Sequence, residues 1–496
     1  MKLLKVTFLF ILAFVCNLSE AQVKNLKELT GVEEGSILAQ AENGNYIVYY
    51  YGQKRFELKE INSSGEVVKE GEFKFDFAVR STFRSVHEID EDKNGLLHFY
   101  QFHNEPTNTT YNLHEIIVDK NDISSLKKYN KIIENTRNGH IIKMFEDYKG
   151  RKYFSKVIEK ENSCTEEILV YYKGENIANY VVSYPYKYKN IGPTRHYMGT
   201  NNSLYSFVVG LADNKNEWVS RLISTSKNGS VAHEFNLGIS VINGDVFELE
   251  SGDIVFNGQF SLEQTNTKIC LNGHISEKTQ NFYSKDVYAN GTVNYLFGKN
   301  LEVKITPKFR LIDQQTDINM RIKRFAQKLL KSEKILGRVR ANLRAVTKTK
   351  DGYIATYTNS NCLRVCKYSN KGSLLWIQEG EFSKVDKAEI RNFADKVSVL
   401  IVENLDNTTR EPIGNQAFKG SREYLSLKTL DISSLSKSKI SDTNENFKSV
   451  DLVKPWDKQR GIKYDLFGNG KIAIREGKFW TFKKAKKTRI GEIKFE

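Results

Sequence analysis

The chain has 496 residues, of which 40% are hydrophobic and 12% aromatic, with 75 Lys and Arg against 60 Asp and Glu. That apolar share excludes a disordered chain, and the length suffices for a large core, about three ordinary domains unless a single repeat architecture absorbs them. A net charge of +15 and only 6 prolines beside 25 Tyr and 29 Phe point to a strand-rich protein with anionic partners.

The first 21 residues read as a signal peptide. Lys2 and Lys5 precede an apolar run from Val6 to Val15, and Ser19 and Ala21 stand where a signal peptidase reads small residues. Cleavage is expected after Ala21. A lipid anchor on Cys16 is disfavoured by the bulky Val15 before it. Removal takes two Lys and one Glu and leaves a net charge of +14. No later run is long and apolar enough for a membrane helix. The expectation is a secreted or periplasmic monomer whose basic surface meets anionic glycans, lipid head groups or acidic proteins, and no nucleic acid.

Along residues 22–496 a cluster of turn formers followed by an alternating strand recurs. It appears as AENGNYIVYY (41–50), DKNGLLHFY (92–100), DYKGRKYF (147–154), TNNSLYSFVV (200–209) and ESGDIVFN (250–257). Further copies are TKDGYIATY (349–357), ADKVSVLIV (394–402) and FGNGKIAIRE (467–476). The first five are spaced by roughly 50 residues, the period of a small four-stranded sheet. A second hairpin signal follows in ELKEINSSGEVV, RLISTSKNGSVA and RVCKYSNKGSLL. Each unit therefore reads as strand, turn, strand, loop, strand, turn, strand. Such a sheet cannot bury both faces alone, so neighbours must stack.

This pattern resembles the β-propeller superfamily, in an exported bacterial form, over nearly the whole of residues 22–496. The motifs are generic: the WD dipeptide, the kelch double glycine and the tryptophan-docking repeat are all missing. The resemblance implies an all-β propeller of seven four-stranded blades, or eight if the long interval between the fifth and sixth turns hides another. The terminal IGEIKFE alternates like a strand and is expected to close the ring against the first blade.

That interval carries the one departure from β pattern. In TDINMRIKRFAQKLLKSEKIL the residues Ile318, Ile322, Phe325, Leu329 and Leu336 share one helical face, with Lys323, Arg324, Lys328 and Lys331 mostly elsewhere. An inserted basic amphipathic helix is expected over 316–337, packed on the ring with a solvated outer face. The basic run KKAKKTR (483–489) reads as a solvated hairpin turn.

Cys164, Cys270, Cys362 and Cys366 allow two disulfides in three pairings, or small buried thiols. A Cys362–Cys366 bond is excluded in an extended strand, where the spacing spans about 13 Å. DEDKNG (90–95) begins like a calcium loop, but Gln101 stands where a bidentate Glu is needed, so it reads as a turn and no metal site is assigned. Metalloprotease, nucleophile-elbow, phosphate-loop and paired CxxC motifs are missing. No cofactor is identified. Asn108, Asn228, Asn290 and Asn407 open Asn-x-Ser/Thr sites that mark surface turns.

One constellation carries chemistry. Before the innermost strands of three successive units stand Arg84 and His87 (FRSVH), Arg137 and His140 (TRNGH), and Arg195 and His196 (TRHY). Arg344, Arg391 and Arg460 occupy comparable offsets later. In a propeller these segments enter the central channel, so the six residues are the candidate ligand-binding site. Guanidinium forks suit carboxylate or sulfate, and imidazoles can hold a metal or move protons. Tyr184, Tyr186, Tyr188 and Tyr197 nearby fit one face of an ordinary strand, or stack on sugars. The sequence contains no complete catalytic set. The expected function is a non-catalytic exported propeller binding an anionic glycan or protein partner through its channel face. Two alternatives are a lyase-like enzyme on acidic glycans, using the channel-mouth His and Arg, and a scaffold docked to an anionic membrane surface.

Overall fold

The computed structural model describes residues 23–29, 32, 35–51, 55–74, 88–104, 111–134, 139–159, 161–185, 194–211, 218–235, 240–261, 291–311, 317–318, 341–358, 362–381, 388–393, 395–406, 421–431, 447–453, 461–467, 470–477 and 485–493. They form eight antiparallel meander sheets, the blades of a propeller. Blades 1 to 7 span residues 36–74, 88–133, 139–184, 195–234, 240–318, 342–381 and 388–453. Blade 8 takes three strands from 461–493 and its fourth, outermost strand from Val23–Leu29.

Each of the eight turn signals opens the second strand of one blade, so the count is eight. The same five-residue turn recurs in both hairpins of the blades. At 41–45, 92–96, 147–151, 199–203 and 249–253 the fourth residue donates its N–H to the first carbonyl, and the first N–H returns to the fifth carbonyl. The fourth residue sits in the left-handed region, as Gly44 (φ 87°), Gly95 (77°), Gly150 (75°), Asn202 (58°) and Gly252 (79°). That requirement explains why Gly and Asn were the visible signal. In DEDKNG, Asp92 Oδ1 accepts from Asn94 N at 2.8 Å and Leu96 N at 2.9 Å. Its carboxylate closes the turn, as the sequence reading expected.

The blades stack through their faces. Ile37, Val48 and Ile61 of blade 1 meet Phe467, Ala473 and Ile490 of blade 8. At the next seam Ile47 and Leu58 meet Leu97, Phe99 and Ile116 of blade 2. Similar clusters fill the seams between blades 2 and 3, 3 and 4, 5 and 6, 6 and 7, and 7 and 8. Between blades 4 and 5 the filling is aromatic, with Phe235 stacked on Phe256 at 4.7 Å and Phe207 at 5.5 Å from Phe256. Sheets that are apolar on both faces gain stability only in such a stack, which is why the ring closes.

Tyrosines pin neighbours together. Met198 N donates to Tyr153 Oη at 2.9 Å, Glu250 N to Tyr353 Oη at 2.9 Å, and Tyr205 Oη to Lys299 O at 3.2 Å. Each bond crosses from one blade to the next. Ring closure pairs Val23–Leu29 with Ala485–Ile493, so the two ends of the propeller meet in blade 8. The C-terminal strand thus closes the ring within the last blade, not against the first.

The expected helix at 316–337 begins as a strand: Asp317–Ile318 pair with Arg310 and Phe309 as a fifth strand of blade 5. Residues 319–340 of that segment lie outside the described residues, as do residues 1–22, Lys483, Lys484 and Cys270; the rest of KKAKKTR, from Ala485 on, belongs to the strand Ala485–Ile493 and not to the expected hairpin turn. Among the described residues no helix is long and apolar enough to cross a membrane. Cys164 and Cys366 are buried free thiols, so Cys366 makes no bond to Cys362. Both lie in Cys362–Ser369, an extended strand, as the spacing argument required.

Candidate functional site

The first strand of each blade lines the channel. Its side chains alternate between the two faces of the blade. Arg195 and His196 are neighbours in Arg195–Met198 and so point opposite ways. His196 turns into the seam: Nδ1 lies 2.9 Å from Ser206 Oγ, and Nε2 3.4 Å from Glu166 Oε1. Glu166 is fully buried and also accepts from Ser155 Oγ at 2.6 Å and Tyr184 Oη at 2.7 Å. This is a wall network: His196 borders the cleft described below, with its ring nitrogens turned to Ser206 and Glu166.

Arg195 lines the same cleft. Its Nη2 donates to Asn342 Oδ1 at 2.8 Å, across to the first strand of blade 6. The guanidinium lies 5.2 Å over the Phe145 ring, and its Nε is buried with no hydrogen-bond partner. Asn342 is steadied from blade 5, where Asn243 Nδ2 donates to Ala341 O at 3.1 Å and reaches Asn342 Oδ1 at 3.4 Å. Asp245, also buried, accepts from Leu343 N at 3.0 Å. Burial raises the Asp245 carboxyl, and the charges of Arg195 and Arg344 with the Leu343 bond offset part of that rise. Burial lowers Arg195, with Asp245 opposing and Arg344 adding to the shift.

These residues frame a cleft of about 310 Å³ including its open mouth, lined by Phe145, Tyr148, Arg195, Tyr197, Asp245 and Leu343 among others. Tyr148 and Tyr197 stack at 5.5 Å with their planes 6° apart, and their hydroxyls meet at 3.0 Å. Lys149 sits 5.3 Å and Arg151 4.8 Å over Tyr197. Arg151 is tied to Asp147 at 2.6 Å, so the lip of the cleft is rigid.

Two charged side chains here are uncommitted. Arg344, on the first strand of blade 6, and Glu146, at the end of the first strand of blade 3, are exposed to solvent. Neither makes a hydrogen bond or ion pair among the described residues. The Glu146 carboxyl is raised above the usual carboxylate range. Desolvation by the channel walls is the main cause; Asp90 and Asp147 add to it, while Lys152 and Arg344 act against it. The side chain is wet yet walled in by protein, as expected inside a narrow channel.

Of the other expected site residues, Arg84, His87 and Arg137 lie outside the described residues. His140 is placed by its backbone, opposite Val157 in blade 3. Arg391 is exposed on the first strand of blade 7, and Arg460 is outside the described residues. Tyr184 closes the Glu166 network, while Tyr186 and Tyr188 are not among the described residues. No group of three metal-ligating side chains occurs among the described residues. Sequence reasoning missed Glu146, Asn243, Asp245 and Asn342. The signal was present in polar residues on otherwise apolar first strands, as in the Asn243-Gly-Asp245 stretch.

No protein-family model matches the chain, and no curated protein matches it. Solved structures do resemble it. The Dos1 propeller is 9% identical, with 95% of each chain covered and a TM-score of 0.36. An α-L-arabinofuranosidase of Fusarium graminearum, solved with an iminosugar inhibitor, is 11% identical over 72% of this chain and 96% of that one, with a TM-score of 0.36. Dipeptidyl peptidase 4 of Porphyromonas gingivalis is 10% identical over 92% of this chain, which spans 59% of that protein, with a TM-score of 0.40. At these values the likeness concerns chain arrangement and carries nothing about chemistry. The chain is an eight-bladed β-propeller.

Proposed function

We propose that this is an exported binding propeller that holds an anionic ligand, a glycan or an acidic protein segment, at the channel cleft between blades 3 and 6. The observation that supports it is the Arg344 guanidinium, exposed on the first strand of blade 6 without a partner among the described residues, two positions along from Asn342, which holds a second guanidinium, Arg195, at the cleft. A cation left without a protein partner is poised for an anion, because a charge-assisted bond is stronger than a neutral one. Export rests on the leader-like first 21 residues. Binding, not turnover, is favoured because His196 is committed to the wall.

The test is equilibrium binding of acidic oligosaccharides and acidic peptides to the purified chain and to Arg344→Gln. Loss of at least tenfold in affinity, about 1.4 kcal/mol, with unchanged melting supports the reading. Equal binding by the variant removes the cleft from consideration.

A further inference from the structure

We infer that blade 3 carries a self-association surface: the outer edge of its last strand, Glu175–Tyr184, pairs antiparallel with the same strand of a second copy of this chain, with Val181 on the twofold axis. The strand is bonded to Cys164–Tyr172 on one side and, among the described residues, to no other strand. A second row of main-chain N–H and C=O groups is therefore left at the rim of the propeller. The register of the strand skips Ile177, lying between Ala178 opposite Val170 and Asn176 opposite Tyr171, and Pro185 follows Tyr184. A bulge and a proline each interrupt a ladder. Between them lie seven regular residues, Ala178 to Tyr184.

Those seven carry no charge, in a chain of net charge +15. Val181, at their centre, is 59% exposed, more than any other large hydrophobic side chain among the described residues. The outermost strands of the other blades are guarded. Val23–Leu29, Val67–Lys74, Asp122–Ile133 and Phe447–Val453 carry lysines, and Leu374–Glu381 carries two glutamates. Gly229–Glu234 and Asp317–Ile318 are short. Charge and brevity are how a sheet edge is kept from pairing. The regular part of the blade 3 edge has neither.

Charge and symmetry together select the occupant. Two copies of a strongly basic chain repel over most of their surfaces, so a neutral edge is where they can meet. About an axis at Val181 the strand is its own complement. Val181 meets Val181, Tyr180 meets Val182, Asn179 meets Ser183, and Ala178 meets Tyr184. An axis at Asn179 would draw the Ile177 bulge into the ladder, and an axis at Ser183 would set Pro185, which has no N–H, opposite Val181. Glu167 is exposed opposite Val181 on the neighbouring strand. Across the axis it lies three strand spacings, about 14 Å, from its copy, which is beyond the Debye length at physiological salt. Pairing uses up the edge on both chains, so the assembly closes as a dimer.

Sedimentation equilibrium of the full chain should show monomer and dimer with no larger species. Val181→Lys sets two lysines against each other on the axis and should weaken dimerisation at least tenfold, while the melting temperature of the dilute protein stays unchanged because the side chain is exposed. Disulfide trapping reads the register, since opposed residues of an antiparallel pair lie about 4.5–5.5 Å apart, within reach of a disulfide. Relative to the unmodified chain, Val181→Cys alone should give a crosslinked dimer under mild oxidation. Asn179→Cys alone should give none, whereas mixed Asn179→Cys and Ser183→Cys chains should crosslink. A chain that stays monomeric at its highest soluble concentration overturns the inference. So does a dimer that Val181→Lys leaves intact, or one that Asn179→Cys traps by itself. Open-ended oligomers, or pairing of this edge only with an extended peptide from another protein, overturn it too.

Discussion

Arg195 and Asn342 lie two blades apart, yet Arg195 Nη2 donates to Asn342 Oδ1 at 2.8 Å across the channel wall. The bond makes Arg195 part of the frame as well as a lining of the cleft. Removing its side chain leaves Asp245 buried without the cation that offsets its desolvation. Arg195→Met should therefore cost about 2 kcal/mol of stability, read from the urea midpoint. Adding Asp245→Asn should recover part of it, since the amide oxygen can still accept from Leu343 N. An unchanged midpoint in the single variant contradicts the framing role.

A second prediction concerns pH. His98 is buried, with Nδ1 2.9 Å from Glu115 Oε1 and Nε2 3.5 Å from Asp92 Oδ2. Burial alone would lower its pKa, but the bonds and charges of Glu115 and Asp92 outweigh burial and raise it. A histidine raised in the folded state contributes stability that is fully present below its unfolded value, about 6.5. The contribution is lost as pH rises through the folded value. The stability difference between the protein and His98→Gln should thus be largest near pH 6 and shrink towards pH 9. Denaturation midpoints for both proteins across that range check it; a difference that grows with pH would show the sign to be wrong.

How much of this was readable beforehand depends on the kind of residue. The turns were readable because the left-handed fourth position admits few residue types, so Gly44, Gly95, Gly150 and Gly252 advertise their blades. The blade count was blurred where residues 262–290 interrupt blade 5, which stretches the period. Arg195 and His196, adjacent on one strand, turn to opposite faces of the blade, so their partners differ although both border the cleft. Pairing across the ring was not readable. That Asn342 would meet Arg195 depends on the curvature and stagger of three blades, which no local pattern encodes.

A third prediction separates two glycines. Gly174 has φ +79°, and a Cβ there would lie 2.4 Å from His98 Nε2 in the neighbouring blade. Gly229 has φ +120° and open space around it. Gly229→Ala should cost about 1 kcal/mol, the backbone strain alone. Gly174→Ala should cost at least about twice that, because the imidazole is held by two carboxylates and cannot step aside. Equal losses for the two in thermal melts would argue against close packing between blades 2 and 3.

The last prediction tests closure. Val23–Leu29 supplies the outermost strand of blade 8, pairing from Val23 with Ile493 to Leu29 with Thr488. Leu29 is buried in the seam with blade 1, beside Ile37, Val48 and Phe467. A chain beginning at residue 32 exposes the edge of Ala485–Ile493 and loses that apolar contact. Both effects weaken the joint that makes the ring continuous. The shortened chain should melt at lower temperature and associate through the bare edge, seen as concentration-dependent sedimentation. A synthetic peptide of residues 22–31 added in trans should restore the melting temperature, since strand addition replaces the missing main-chain bonds. A peptide in which Leu29 is changed to Asp should fail to do so, because its ladder would form without the buried anchor. If the shortened chain melts like the full one, the strand decorates the ring without closing it.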